Sequence, residues 1–503
     1  MKKQLFCSQT PGALVIGAGP AGLTAAFELA KSPLKPLVLE ASPYIGGIAR
    51  THVWEGNRLD IGGHRFFTKS EEVKQLWGEM MDEPMLKVPR LSRIFYGQQF
   101  YPYPLKIGAT LKNLGLVESF RMLLSYLAAR WRPVLPEDSF ADWVRNRFGE
   151  RLYSTFFKTY TEKVWGMPCT EIRADWAAQR IHGLSFGSAV LNAIRNSGKV
   201  KSLIKTFDYP RLGPGMLWEG AARKIGERGG EVVLEARATR LHHRDGAVTA
   251  VEVACGGETQ QLHPAQVIST MPLSTLAKCL VPPPPPNVLE AAEGLKYRDF
   301  LIVALACRKP DVFPDNWIYI HSAEVRVGRI QNFRNWSEAM VAPGHGTTLG
   351  MEYFCSRGDD LWTMSDEGLV ALAKREIAAL GLVPESELEG GYVIRELNAY
   401  PVYDASYREH VETLKAYFGS FSNLQTVGRN GMHRYNNQDH SMLAGQQAAL
   451  RLLGRTDLDP WEVNTERSYY EEQTLAGKAP ESGSGNSAAT PQTLPEAATP
   501  AVT

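Results

Sequence analysis

The run Ala13-Leu14-Val15-Ile16-Gly17-Ala18-Gly19-Pro20-Ala21-Gly22 constrains this chain more than any other stretch. Its apolar residues read as a buried strand, its glycines as a tight turn, and the residues to about Ala30 as a helix. Leu37-Val38-Leu39-Glu40 then reads as a second strand ending in an acid 18 residues beyond Gly22. Gly17, Gly19, Pro20, Ala21 and Gly22 in that order let backbone approach a pyrophosphate, and the helix N-terminus turns its partial positive charge toward the anion. A Glu40 carboxylate suits a ribose diol. Glycines at this spacing also join strands to helices for steric reasons alone. Strand, helix, second strand and terminal acid together read as a dinucleotide site.

The residues after Glu40 choose the cofactor. Pro43-Tyr44-Ile45-Gly46-Gly47-Ile48-Ala49-Arg50 brings a second glycine pair, Gly46 and Gly47, and a cation, Arg50, where a nicotinamide domain would continue to another strand. This segment resembles the flavoproteins of the amine oxidase superfamily, in which it runs along the FAD pyrophosphate, so the cofactor expected is FAD.

The formal net charge of +1 over 503 residues offers no global attraction to nucleic acid, and no run approaches the length of a membrane span. Six scattered cysteines show neither C-x-x-C spacing nor a metal-ligand cluster. A reducing cytoplasmic location without structural metal is expected.

Along the chain, residues 1–12 form a leader, and a hairpin turns at Glu55-Gly56-Asn57 before Gly62-Gly63-His64. A histidine beside glycines is more often structural than catalytic. A helix from Ser70 and a hairpin over Ile94–Tyr101 follow. The pattern is helical from about Ile107 to Phe186, with a cap at Asp138-Ser139 and a stripe of Phe140, Trp143, Phe148 and Leu152. Arg121–Arg132 is apolar with basic flanks, which raises membrane-surface contact; packing against the interior of an inserted domain is the preferred reading. Residues 187–207 read as a basic linker, and strands at 231–234, 238–242, 248–253 and 266–270 return to the dinucleotide domain. Prolines 282–286 read as a stiff connector, further strands at 300–307 and 347–353 as a mixed sheet, and the tail beyond about Ala476 as disordered.

Several separated blocks resemble one branch of that superfamily, the UDP-galactopyranose mutases. Gly62-Gly63-His64-Arg65-Phe66-Phe67-Thr68 is similar to a family motif beside the flavin ring, and Tyr160-Thr161-Glu162-Lys163-Val164-Trp165-Gly166 to a helix whose Tyr and Trp cradle a uridine. Arg329 resembles a substrate arginine, and Tyr400 and Tyr435 resemble tyrosines that bind substrate phosphates. The resemblance covers residues 12 to 455. It implies FAD contacts from Gly63, His64, Ala238 at the adenine end, Gly428, Arg429, Asn437, Ser441 and Met442, with the helix beginning near Ser441 aimed at the isoalloxazine. It implies His64, Arg329, Tyr400 and Tyr435 as catalytic residues, and Tyr160, Trp165, Arg329, Tyr400 and Tyr435 around the substrate. Phe67, Val164, Asn437 and Leu184 depart from the family pattern.

The fold expected is α/β: a discontinuous FAD-binding domain of Rossmann type (12–100, 208–275, 420–455), an inserted helical domain (101–207), a mixed-sheet substrate domain (287–419) and a disordered tail (476–503). Two chemistries follow from the resemblance. One is reduced-flavin N5 chemistry at the anomeric carbon of a nucleotide sugar, which needs an electron donor to prepare the flavin and no protein nucleophile. The other is ordinary flavin oxidoreduction, as in the protoporphyrinogen oxidase and desaturase relatives. A scaffold in a cell-envelope polysaccharide complex is a third reading.

Overall fold

The computed structural model describes residues 10–103, 105, 110, 113–174, 202–464 and 472–473. The expected tail, most of the leader and of the basic linker, and Leu184 lie outside the described residues.

Ala13–Ile16 is the central strand of a five-stranded parallel sheet, flanked by Pro36–Leu39 and Gln266–Ser269, with Glu231–Val233 and Leu424–Thr426 at the edges. All four residues of the central strand are buried, because helices cover one face and a second sheet the other. Helix Pro20–Leu29 leaves the central strand with proline in its first turn, where a missing N–H costs nothing. Three of the five strands arrive from residues 231–426, so distant stretches of the chain build this one sheet.

A four-stranded sheet of Glu258–Leu262, Ala247–Cys255, Ala236–Arg244 and Leu280–Val281 packs against one face of the parallel sheet. The prolines end differently from expectation: Pro286 is the first residue of helix Pro286–Gly294. The stiff stretch therefore feeds a helix directly, since proline fits the first helical position.

The third sheet has seven strands, in the order Leu388–Pro401, Tyr297–Cys307, Thr347–Cys355, Arg329–Asn332, Trp317–Ile320, Ser92–Tyr96 and Gln99–Pro102. It is mixed, because Trp317–Ile320 runs parallel to Ser92–Tyr96 while its other pairings are antiparallel. The hairpin over residues 94–101, read from sequence as part of the FAD domain, thus belongs to the edge of this sheet.

In the insert, Ser139 caps helix Phe140–Phe148 by accepting from the Asp142 amide, and the expected stripe is buried. A π-turn over Ser154–Lys158 interrupts the path into helix Thr159–Trp165 and rotates the residues beyond it. Helix Leu116–Trp131 reverses the preferred reading. Met122 is its sole buried residue, and its apolar stripe faces outward.

Candidate functional site

The turn after the first strand is shaped by close backbone contact. Gly17 has φ of 102°, and a Cβ there would meet Thr270 Oγ1 at 2.0 Å. A Cβ on Gly22 would lie 2.0 Å from the Gly17 carbonyl oxygen, so the helix approaches the turn more closely than any side chain permits. Gly19 is different. Its backbone is extended (φ −81°, ψ −178°), and the nearest atom to a Cβ would be Gly47 Cα at 3.9 Å. The two glycine loops face each other, tied by the Gly46 amide donating to the Ala18 carbonyl at 2.8 Å. A side chain at Gly19 would occupy the groove they form, whose bare backbone fits a diphosphate.

Glu40 accepts the Ala18 amide at 2.8 Å and the Ser42 amide at 2.9 Å, so it braces the turn and keeps lone pairs for a ribose hydroxyl. Ala236 N donates to the Glu40 carbonyl at 2.8 Å, which sets the strand bearing Ala238 beside the same end. Arg50 is less available than expected: it donates to the Gly47 carbonyl at 2.8 Å and pairs with Glu396 at 2.6 Å. Its charge is already balanced.

Gly62 and Gly63 lie against strand Arg329–Asn332 of the seven-stranded sheet. A Cβ on Gly62 would be 3.6 Å from Arg329 Nη2, and one on Gly63 3.1 Å from Gln331 Nε2. His64 Nε2–H donates to the Ile61 carbonyl at 2.7 Å. Burial first, then the charges of Arg429 and Arg329, lower its pKa to about 4. The imidazole is neutral at pH 7 and holds the loop, which favours the structural role over acid catalysis.

The C-terminal helix begins at Gln438, one turn earlier than read from sequence, with Asn437 as its cap. Ser441 N therefore donates to the Asn437 carbonyl at 3.0 Å, and its amide is spent inside the helix. Met442 is fully buried, accepting from Trp77 Nε1 at 3.3 Å. Of the first-turn amides, that of His440 is taken by the Asn437 side chain, and those of residues 438 and 439 point out of the helix start. Gln438 itself, missed in the sequence, accepts from Trp218 Nε1 at 3.2 Å and donates to the His64 carbonyl at 3.5 Å.

Beside this lies a cluster of arginines and aromatic rings. Arg329 Nε donates to Glu352 at 2.5 Å, and Gln331 donates to the other oxygen of Glu352 at 2.6 Å. Burial pushes the Glu352 carboxyl up, opposed by Arg329; for Arg329, burial works against the charge, and Glu352 overturns it and holds the guanidinium above its usual range. Tyr400 and Tyr435 stack at 5.7 Å with an interplanar angle of 20°. The Arg429 guanidinium lies 4.2 Å from the Tyr435 centroid and 5.1 Å from that of Tyr400. Arg429 Nε is buried without a hydrogen-bond partner, and no carboxylate pairs with this cation among the described residues. An orphaned buried donor on a cation next to Gly428 (φ 88°) fits an anionic group of a cofactor or substrate. Burial, then neighbouring Tyr435, raises the Tyr400 pKa, and burial raises that of Tyr160 well above the usual range, so both remain neutral hydroxyls.

Tyr160 and Trp165 do not form the expected pair of aromatic walls. The Tyr160 ring stacks on His321 at 5.0 Å and 4°, with Tyr319 at 5.5 Å. Trp165 is 3% exposed in the insert core, 6.0 Å from Tyr403, and offers little ring face to a base. The π-turn ahead of Tyr160 rotates both residues together relative to the helical turn before it, since both lie on helix Thr159–Trp165. Glu352, Gln331, Tyr319 and His321 were missed by the sequence reading. Glu352 had a signal: it is the one acid in Thr347–Cys355, an otherwise uncharged strand buried along its whole length.

Burial raises the Cys355 and Cys169 thiols to about 12, and that of Cys307 upward, so none of them is a thiolate nucleophile at neutral pH. Among the described residues no group of three or more His, Cys, Asp or Glu could hold a metal, and no helix is long and apolar enough to cross a membrane.

Comparison with known proteins agrees with this geometry. The family profile described as flavin containing amine oxidoreductase matches residues 20–437. Among curated proteins, the chain is 28% identical over 180 residues to dTDP-fucopyranose mutase of Escherichia coli, 32% of this chain and 43% of that one. It is 49% identical over 51 residues to pseudooxynicotine dehydrogenase of a Pseudomonas species, 10% of each chain. The matches thus span less than half the length of these relatives. In three dimensions the chain is similar to reduced UDP-galactopyranose mutase, with a TM-score of 0.78 and 21% identity over 90% of this chain and 96% of that one. A putative protoporphyrinogen oxidase from Exiguobacterium superposes with a TM-score of 0.67 at 16% identity, covering 88% and 99%. With a profile match over most of its length and a glycine cradle built for a dinucleotide, the chain belongs to the flavin containing amine oxidoreductase family as an FAD-dependent enzyme.

Proposed function

We propose that the enzyme acts on a nucleotide sugar without net redox change, at the anomeric carbon. The observation that carries this reading is the gathering of Arg329, packed against Gly62, with the stacked Tyr400 and Tyr435 and the Arg429 guanidinium over their rings. Two arginines and two neutral phenols suit a diphosphate, since guanidinium groups bind its oxygens in pairs and hydroxyls add donors without charge. When bound, reduced FAD supplies a nucleophile at N5. The chain's own part is then to bind and orient: Arg329, fixed by Glu352, and the tyrosine pair hold the diphosphate as it departs and returns. The neutral His64 keeps the loop in place.

The likeness in fold to a UDP-galactopyranose mutase and the partial match to a dTDP-fucopyranose mutase support this reading. The second reading, oxidoreduction of a small or lipidic substrate, draws support from the buried Trp165, which leaves a nucleobase with one aromatic platform fewer. UDP and dTDP titrated against the dithionite-reduced enzyme separate the two. Perturbation of the flavin spectrum, with turnover that consumes no reductant, is the expected result. Stoichiometric electron transfer to oxygen or a quinone for each product formed rejects the mutase reading.

A further inference from the structure

We propose that helix Leu116–Trp131 is an in-plane anchor that docks the enzyme on an anionic phospholipid surface. Of the fifteen large apolar residues that are exposed among the described residues, nine fall between Leu116 and Leu135. Leu116 and Trp131 are 90% exposed, and Val117, Phe120, Leu124 and Leu127 between 50% and 66%. At 3.6 residues per turn, the seven apolar residues exposed on this helix lie within a sector of roughly 120°, a continuous stripe. Val134 and Leu135 extend the patch beyond the helix end. A patch of this kind on a folded protein marks a contact surface.

The helix is nonetheless firmly seated through its opposite side. Met122 is buried with Phe140, Phe148 and Leu152. A Cβ on Gly149 would come within 2.7 Å of the Tyr126 amide nitrogen, so the helix backbone rests directly on this glycine. Ser125 Oγ accepts the Arg151 amide at 3.0 Å. The outward stripe is therefore surplus to folding of the insert.

Charge decides which partner fits. Arg130 borders one edge of the stripe and Arg121 the other, and Arg132 follows the last turn. Arg130 and Arg132 are exposed and have no carboxylate partner among the described residues. The helix's sole acid, Glu118, is turned to the inner side, where it pairs with Arg121 at 2.7 Å and Arg151 at 2.8 Å. Two copies meeting through this face would bring unpaired arginines together with no carboxylate to receive them. Lipid phosphates supply that charge, while the leucines, Phe120 and Trp131 enter the acyl boundary.

Flotation of the FAD-loaded enzyme with phosphatidylcholine vesicles, with and without phosphatidylglycerol, tests the proposal. The enzyme is expected to float with the anionic vesicles and far less with the zwitterionic ones. Leu124→Ser with Leu127→Ser lowers partitioning about tenfold or more. Arg130→Gln with Arg132→Gln lowers it by a similar factor on anionic vesicles alone. Unchanged flavin content in both variants shows that the fold is intact. Equal flotation with both vesicle types, or none with either, overturns the proposal. So does a dimer in light scattering that Leu124→Ser with Leu127→Ser dissociates, because a second copy is then the occupant.

Discussion

The glycine cradle around Gly17–Gly22 and the arginine–tyrosine cluster around Arg329 lie side by side, yet they are built on opposite principles. The cradle is made of backbone, and its residues matter for the side chains they lack. It is set by contacts within a few residues and one facing loop, at Gly46 and Gly47. The cluster is made of long side chains from strands Arg329–Asn332, Thr347–Cys355 and Leu388–Pro401, from the short helix Gly428–Gly431 bearing Arg429 and from Tyr435 beyond it. It depends on compensation of buried charge. A cradle therefore fails through steric intrusion, and a cluster through loss of a partner.

The largest expected effect falls on the cluster. Arg329→Leu leaves Glu352, with its fully buried side chain, without its cation, and uncompensated buried charges of this kind cost about 3–5 kcal/mol. Arg329→Leu combined with Glu352→Leu is expected to regain most of that stability while nucleotide binding stays lost. Chemical denaturation of the three proteins checks this, and equal stability of the single and double variants would break the contrast with the cradle.

Within the cradle, two glycines three residues apart are expected to behave differently. Gly22→Ala forces a Cβ against the Gly17 carbonyl and costs roughly 1–3 kcal/mol by overpacking. Gly19→Ala has room in the protein itself, so apoprotein stability is expected to move by less than about 0.5 kcal/mol while FAD content collapses. Thermal melts beside flavin absorbance of the purified variants read both quantities. Full FAD occupancy in Gly19→Ala would place the diphosphate elsewhere.

A pH-dependent effect lies at the seam between the two regions. Asp60, on the hairpin after the cradle, accepts from Thr51 Oγ1 at 2.9 Å and from the hydroxyl of Tyr209. Burial raises its pKa from 3.8 to about 7, against the opposing hydrogen bonds of Tyr209 and Thr51. The folded state thus holds a proton that the unfolded chain has released. Its contribution is fully present below about pH 4 and is lost as pH rises to about 7. Melting temperatures between pH 5 and 8 are expected to fall more steeply in the wild type than in Asp60→Asn. Parallel curves would show that Asp60 is already ionised in the fold.

The amino-acid sequence by itself determined the central strand, the glycine turn, both hairpins and the capped helices, because each is set by chemistry within a few residues. The resemblance to the mutases singled out Arg329, Tyr400 and Tyr435 around a substrate; in the structure Arg329 lies against Gly62, and Tyr400 and Tyr435 stack on each other. Tertiary structure alone decided the rest. Glu352 became the base of the cluster only through pairing of Arg329–Asn332 with Thr347–Cys355, which sets Glu352 opposite Arg329. A π-turn, invisible to helical periodicity, set the directions of Tyr160 and Trp165 and sent Trp165 into the core. Periodicity in Leu116–Trp131 revealed that an apolar stripe exists, but not which way it faces. That choice was made by Gly149, which lets the opposite side of the helix approach at backbone distance and leaves the apolar side to the outside.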